Sequence, residues 1–379
     1  MAYLTRVKQR DVIIVGGGLA GLTASIHLGR SGVRVMLIEK HRYPRHKVCG
    51  EYLSNEVRTY LESLGLQIPS AIPINTLQLT SRRGGELTVD LPLGGMGISR
   101  YTLDNLLFQK ALEVGVEILF EKVEEINRIG EGYEISTSVN RYRGRIAIGA
   151  HGKRSSLDKD LGRGFMGRSS GWLAVKSHYR YDNWPDNLVG LHAFRGGYAG
   201  ISKIESGHVN FCYLTTYKSF KEFGNIDSFT TSLVSENSFL EEFLKEAVMV
   251  FKEPLSIAQI SFHRKEVVID GMLMCGDSAG MIHPLCGNGM AMAIHSAKLA
   301  AECIIKALGK GAVDLETLGN NYRVEWQQTF SSRLAFGSIF QALLLREWFS
   351  GRLIDTISQS PWLLKKLIAT THGKTIGPC

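Results

Sequence analysis

Hydrophobic positions fall into three patterns along the chain. Asp11-Val12-Ile13-Ile14-Val15 is a continuous β-branched run, of the kind buried on both faces of a parallel sheet. A glycine-rich turn and a helical stretch to about Ser31 follow it, then a second apolar run from Arg34 to Ile38 that closes on Glu39. Met272 to Cys275 reads as another short buried strand, ahead of a long helix to about Leu308. The middle of the chain alternates instead. Trp172–Tyr181, Val189–Phe194, Tyr198–Ile204 and His208–Thr215 predict strands of period two. Leu77–Thr80 and Glu86–Leu91 flank an Arg83-Gly84-Gly85 turn as a hairpin expected to join them, and Asn225–Val250 reads as helical. The third pattern is a C-terminal helical face of Leu334, Ile339, Phe340, Leu343, Leu344 and Trp348, followed by a basic amphipathic stretch from Trp362 to Ile368. Core packing is the first reading of both; a lid or a peripheral membrane contact is the alternative.

The turn after the first run is Gly16-Gly17-Gly18-Leu19-Ala20-Gly21. In a strand–turn–helix that holds a pyrophosphate, Gly16 permits the tight turn and Gly18 lets the backbone approach the ligand. Gly21 lets the helix pack closely on the sheet. The helix start at Leu19 and Ala20 offers N–H groups and the positive end of its dipole. Glu39, 18 residues beyond Gly21 and followed by Lys40, stands where an acid takes the ribose hydroxyls. The chain carries its own control. Gly162-Arg163-Gly164-Phe165-Met166-Gly167 matches the same spacing, but it follows no buried strand and opens no amphipathic helix, so it is read as a loop. The first motif predicts dinucleotide binding; a merely structural unit of the same shape is the alternative.

Length and composition widen this picture only slightly. At 379 residues and 44% hydrophobic, the chain can bury a large interior and is expected to form two lobes. The formal charge of +8 suits anionic ligands. The basic residues are scattered and match no nucleic-acid motif, so no nucleic-acid partner is expected. Six cysteines without paired spacing read as reduced thiols of a cytoplasmic protein, and no apolar run is long enough to span a bilayer.

Further segments carry a resemblance. Gly276-Asp277 follows the Met272–Cys275 strand, and Pro284-Leu285-Cys286-Gly287-Asn288-Gly289-Met290 opens the long helix. With the N-terminal motif, this pair resembles the para-hydroxybenzoate hydroxylase-type flavoproteins, a group that includes geranylgeranyl reductases and related monooxygenases. The resemblance implies FAD as cofactor, with Asp277 binding it. It also implies that the segment of Pro284, Gly287, Asn288, Gly289 and Met290 packs along the isoalloxazine. Arg100, in Arg100-Tyr101-Thr102-Leu103-Asp104, is similar to a family arginine that approaches the flavin. Lys47-Val48-Cys49-Gly50 resembles an element of the geranylgeranyl reductase branch, which implies cofactor contacts for Lys47 and Cys49. His151 stands where the family carries an aspartate linked to NAD(P)H use. The implied fold is α/β: a Rossmann-like FAD-binding domain of glutathione reductase type, an inserted mainly antiparallel β substrate domain, and C-terminal helices. The expected division is 8–75, 99–170 and 263–325 for the FAD domain, 76–98 and 171–262 for the substrate domain, and 326–379 for the helical segment.

A reduced flavin can activate dioxygen or pass hydride to a double bond, and the protein positions the substrate and excludes water. His283, beside Pro284, is the candidate acid or base, with a structural loop histidine as the alternative. Cys49 is the candidate thiol at the flavin, with an inert buried thiol as the alternative. Glu51 is expected to pair with Lys47 or Arg45, and His178 and His192 to lie at the surface. The tryptophan signatures of flavin halogenases and of prenyl reductases are both absent from Gly197–Lys203. The sequence is therefore read as an NAD(P)H-dependent monooxygenase that hydroxylates a phenolic or polyketide-like apolar molecule, with NADPH or NADH as transient reductant. A flavin-dependent reductase of C=C bonds in a prenyl or lipid substrate is the alternative.

Overall fold

A computed structural model describes residues 9–82, 84–168, 170–283, 287–345 and 373–379. The strand Gln9–Val15, buried from Val12 onward, lies at the centre of a mainly parallel sheet. It pairs in parallel with Val35–Ile38 on one side and Arg141–Gly149 on the other. Met272–Met274 continues the sheet in parallel beyond Arg141–Gly149, so two distant β-strands deliver their C-terminal turns to one edge. Open α/β sheets place ligands at such an edge. Helix Leu19–Arg30 packs on this sheet against helix Gly289–Leu308, and one apolar core joins them.

The alternating segments form a second, nine-stranded sheet. Trp172–Arg180, Val209–Thr216, Gly197–Lys203 and Leu188–Phe194 pair antiparallel in that spatial order. The hairpin Ile72–Thr80/Glu86–Gly97 joins as expected, through a parallel pairing of Ile72–Thr80 with Leu188–Phe194. One face of this sheet packs under its own helices around Phe211, Tyr213, Phe229 and Phe243. The other carries Ala174, Tyr198 and Leu214, packed with Val48, Phe262 and Met281.

Two expectations need correction. Asn225–Val250 is not one helix but Ile226–Ser232, a 3-10 turn at Leu233–Ser235, Ser238–Glu246 and an edge strand at Val248–Met249. Asn237 breaks it, because its side chain accepts from Phe239 N and caps a new helix. His178 and His192 are buried rather than exposed, at 3% and 0%. The decoy glycines at 162–167 form a loop ending in a short 3-10 turn. Helix Leu315–Leu345 covers the start of the expected C-terminal helical segment; Trp348 and the Trp362–Ile368 stretch lie outside the described residues.

Candidate flavin site

The N-terminal turn is shaped by sterics. Gly16 adopts φ +107°, and a Cβ there would lie 2.3 Å from Ala150 O. A Cβ on Gly21 would lie 1.9 Å from Gly16 O, so helix and turn meet only because no side chain intervenes. Gly18 differs. A Cβ there would meet only the Arg100 guanidinium, at 4.0 Å, so the backbone faces open space. The helix beginning at Leu19 and Ala20 has no side-chain cap, which leaves its first-turn N–H groups for a ligand. An open cradle, an uncapped helix start and a nearby guanidinium fit a pyrophosphate. Glu39 closes the turn, with its carboxylate accepting from Gly17 N at 2.7 Å and His41 N at 3.0 Å. Lys40 is exposed beside it.

Arg100 is fixed by a bidentate pair with Asp104, at 2.7 and 2.9 Å, and Lys47 reaches the same carboxylate at 2.6 Å. Asp104 is fully buried; burial opposes its charge, but the two cations outweigh it and hold its pKa below the ordinary value. The second turn places Asp277 nearby. Its carboxylate accepts no hydrogen bond from another described residue, while its carbonyl accepts from Lys265 Nζ at 2.6 Å. Burial pushes the Asp277 pKa up against the pull of Lys265, Arg100 and Lys153. The same burial lowers Lys153 and Lys265 to about 8. An acid short of donors is ready for ligand hydroxyls.

The loop opening helix Gly289–Leu308 completes the wall. Pro284 lies outside the described residues. Gly287, at φ +62°, faces the Tyr52 ring, which a Cβ would approach to 3.4 Å, and Gly289 is equally unencumbered. Asn288 precedes the helix but does not cap it; its amide donates to Glu56 at 3.0 Å. Met290 Sδ sits 3.4 Å from Cys49 Sγ, which also accepts from Glu51 N at 3.4 Å. Burial raises the Cys49 pKa, so the thiol keeps its proton.

His283 is 3% exposed and lies among Phe262, Tyr198 and Trp172, at ring distances of 4.6, 6.1 and 6.3 Å. Burial pushes its pKa down to about 3, so the imidazole is neutral near pH 7. His151, in place of the family's aspartate, turns to Asp158 at 3.0 Å.

The cluster that sequence reasoning missed ties the turn before strand Tyr52–Ser54 to the distant strand Trp172–Arg180 of the same sheet and to the start of helix Arg100–Glu113. Glu51 is fully buried, with φ +55°, and its partners are neither Lys47 nor Arg45. It accepts from Lys176 at 2.5 Å, His178 at 2.7 Å and Arg100 N at 2.7 Å. Burial works against the Glu51 charge; the His178 bond and the Lys176 charge prevail and hold its pKa below the ordinary value. Lys176 and His178, two residues apart on one strand, point to one face, and this polar pair in an otherwise buried strand was the available signal. The turn carrying Cys49 is thereby tied to the second sheet.

Three comparisons bear on the chain. A family model described as "FAD binding domain" matches residues 9–317. Digeranylgeranylglycerophospholipid reductase 2 of Methanothermobacter thermautotrophicus is 26% identical over 88% of this chain and 87% of its own length. Menaquinone reductase of Mycobacterium tuberculosis is 26% identical over 78% and 76%. Among solved structures, a flavin-dependent brominase superposes with a TM-score of 0.80 at 21% identity, covering 96% of this chain and 93% of its own. A geranylgeranyl bacteriochlorophyll reductase-like protein of Thermoplasma acidophilum gives 0.73 at 18%, covering 97% and 92%.

Proposed function

This chain belongs to the FAD-binding domain family, and on that premise we propose that it is an FAD-dependent reductase of C=C bonds in a prenyl or lipid-like apolar substrate. NADPH or NADH serves as its transient reductant. The observation that carries this reading is the protonated Cys49 thiol, packed against Met290 at the start of the helix expected to face the flavin. Saturating a double bond takes a hydride to one carbon and a proton to the other. The bound flavin supplies the hydride chemistry. Cys49 supplies the proton, and its high pKa keeps that proton in place until the neighbouring carbon becomes basic. Glu51, Lys176 and His178 hold the Cys49 turn in position. The reductase relatives and the Lys47-Val48-Cys49-Gly50 element support the same choice.

Hydroxylation, which the sequence reading placed first, is the second reading. It draws on the aromatic enclosure of Trp172, Tyr198 and Phe262 around a neutral His283, a setting suited to oxygen chemistry that must exclude water. Turnover of crude lipids in deuterated water under labelled dioxygen separates the two. The expected product gains two hydrogens, at least one of them solvent-derived, and no labelled oxygen. A product carrying one labelled oxygen defeats the reductase reading. Cys49→Ala is expected to keep its flavin and lose about 10²–10⁴-fold in kcat.

A further inference from the structure

The strand Trp172–Arg180 has two faces. Lys176 and His178 reach Glu51 on the flavin side, so Val175, Ser177 and Tyr179 point the other way. On that far side lies a cavity of about 210 Å³ between the sheet and the helix Ile226–Ser232. Three rings line it, those of Tyr179, Phe211 and Tyr213, together with Ser177, Asp227 and Thr230.

Two polar groups of this lining have no side-chain partner among the described residues. Ser177 is 2% exposed, and its hydroxyl, shielded from solvent, bonds to no described residue. Its neighbours on that face are apolar or aromatic, so the hydroxyl serves no network within the sheet. Buried polar groups are ordinarily satisfied, and an orphan in a cavity lining marks a place for a ligand atom. Asp227 is exposed at the mouth and makes no ion pair among the described residues. Burial, and then the Asp227 charge, raise Tyr179 to about 12, and burial pushes Tyr213 up as well. Tyr213 OH is already bonded to Thr230 Oγ1 at 3.0 Å.

We infer that this cavity binds a small hydroxylated ammonium ion. A carboxylate above aromatic faces attracts an organic cation, through ion pairing and through the ring quadrupoles. The orphan Ser177 takes the hydroxyl of the same ligand at the floor. The volume holds about seven water-sized groups at about 30 Å³ each, the size of a short amino alcohol. The site lies across the sheet from the flavin and does not depend on which reaction the flavin performs.

The test uses FAD-loaded full-length protein, calorimetric titration and three probes: choline, its neutral isostere 3,3-dimethylbutan-1-ol, and tetramethylammonium. Choline is expected to bind, with the neutral isostere about 10-fold weaker or worse. Asp227→Asn weakens choline by about 10-fold. Ser177→Ala weakens choline but leaves tetramethylammonium unchanged, because only choline carries the hydroxyl. Flavin absorbance and thermal melting establish that both variants are folded. Equal binding of choline and its isostere, no saturable choline binding in the millimolar range, or unchanged choline affinity in folded Asp227→Asn overturns the inference.

Discussion

Gly18 and Gly21 lie three residues apart, yet they are glycines for different reasons and fail differently when replaced. A Cβ at Gly21 strikes the Gly16 carbonyl, so Gly21→Ala is expected to lower thermal stability, flavin bound or not. A Cβ at Gly18 meets nothing nearer than 4.0 Å, so Gly18→Val is expected to fold with near-normal apo stability and purify colourless. Absorbance at the flavin band set against the apo melting temperature distinguishes them; a yellow Gly18→Val protein contradicts the cradle. Asp277→Ala is expected to weaken FAD binding by about 10- to 150-fold, the worth of roughly 1.5–3 kcal/mol for a bond to a charged acceptor. Equilibrium dialysis of the folded variant measures it, and unchanged affinity places Asp277 away from the cofactor. These residues were legible in the sequence because each sits at a fixed spacing from a strand end. Glu51 was not, because Lys176 and His178 lie more than a hundred residues away, on a strand that meets it only in the folded second sheet. Nor was the burial of His192: alternation tells which residues share a strand face but not which face is covered. Helix Ser238–Glu246 lies over that one, and His192 stacks on Phe239 with Thr80 Oγ1 at 2.9 Å.

Strands and long helices followed their hydrophobic period closely, because burial enforces it. The stretch 225–250 departed because Asn225 and Asn237 each cap a separate short helix, and local side-chain bonds at those points outweigh the apolar period. What joins elements together is less visible still, and Glu56 is the clearest case. It lies in the 3-10 turn Asn55–Val57 and is fully buried. Its carboxylate accepts from Asn288, from His295 on helix Gly289–Leu308, from Arg333 on helix Leu315–Leu345 and from Gly373 N. Burial disfavours its charge, but His295, Arg333 and Asn288 prevail and lower its pKa from 4.5 to about 2. A depressed acid contributes stability that is fully present above about pH 4.5 and is lost as pH falls towards 2. The difference is worth about 3 kcal/mol. Denaturant unfolding across that window is expected to show the loss in the native protein and a flatter profile in Glu56→Gln. An identical acid profile in the variant removes Glu56 as the junction.

At the scale of the molecule, the mainly parallel sheet delivers two glycine-containing turns to one edge, and an apolar face of the second sheet packs with Val48, Phe262 and Met281. No described helix is long and apolar enough to cross a membrane. The flavin half was readable from two motifs and their flanking strands. The proposed reaction was not, because it rests on contacts of the Cys49 turn with residues more than a hundred positions away rather than on local pattern. His283 sits neutral among the rings of Phe262, Tyr198 and Trp172, and Cys49, whose proton burial retains, packs on Met290. The most direct measurement is anaerobic: photoreduce the FAD-loaded protein, add a polyprenyl ether lipid, and follow the flavin absorbance. The oxidised flavin spectrum is expected to return without oxygen, with product heavier by two hydrogens and with the return slowed in Cys49→Ala. A flavin that stays reduced with every such alkene and reoxidises only on admitting oxygen, yielding an oxygenated product, contradicts the reductase reading.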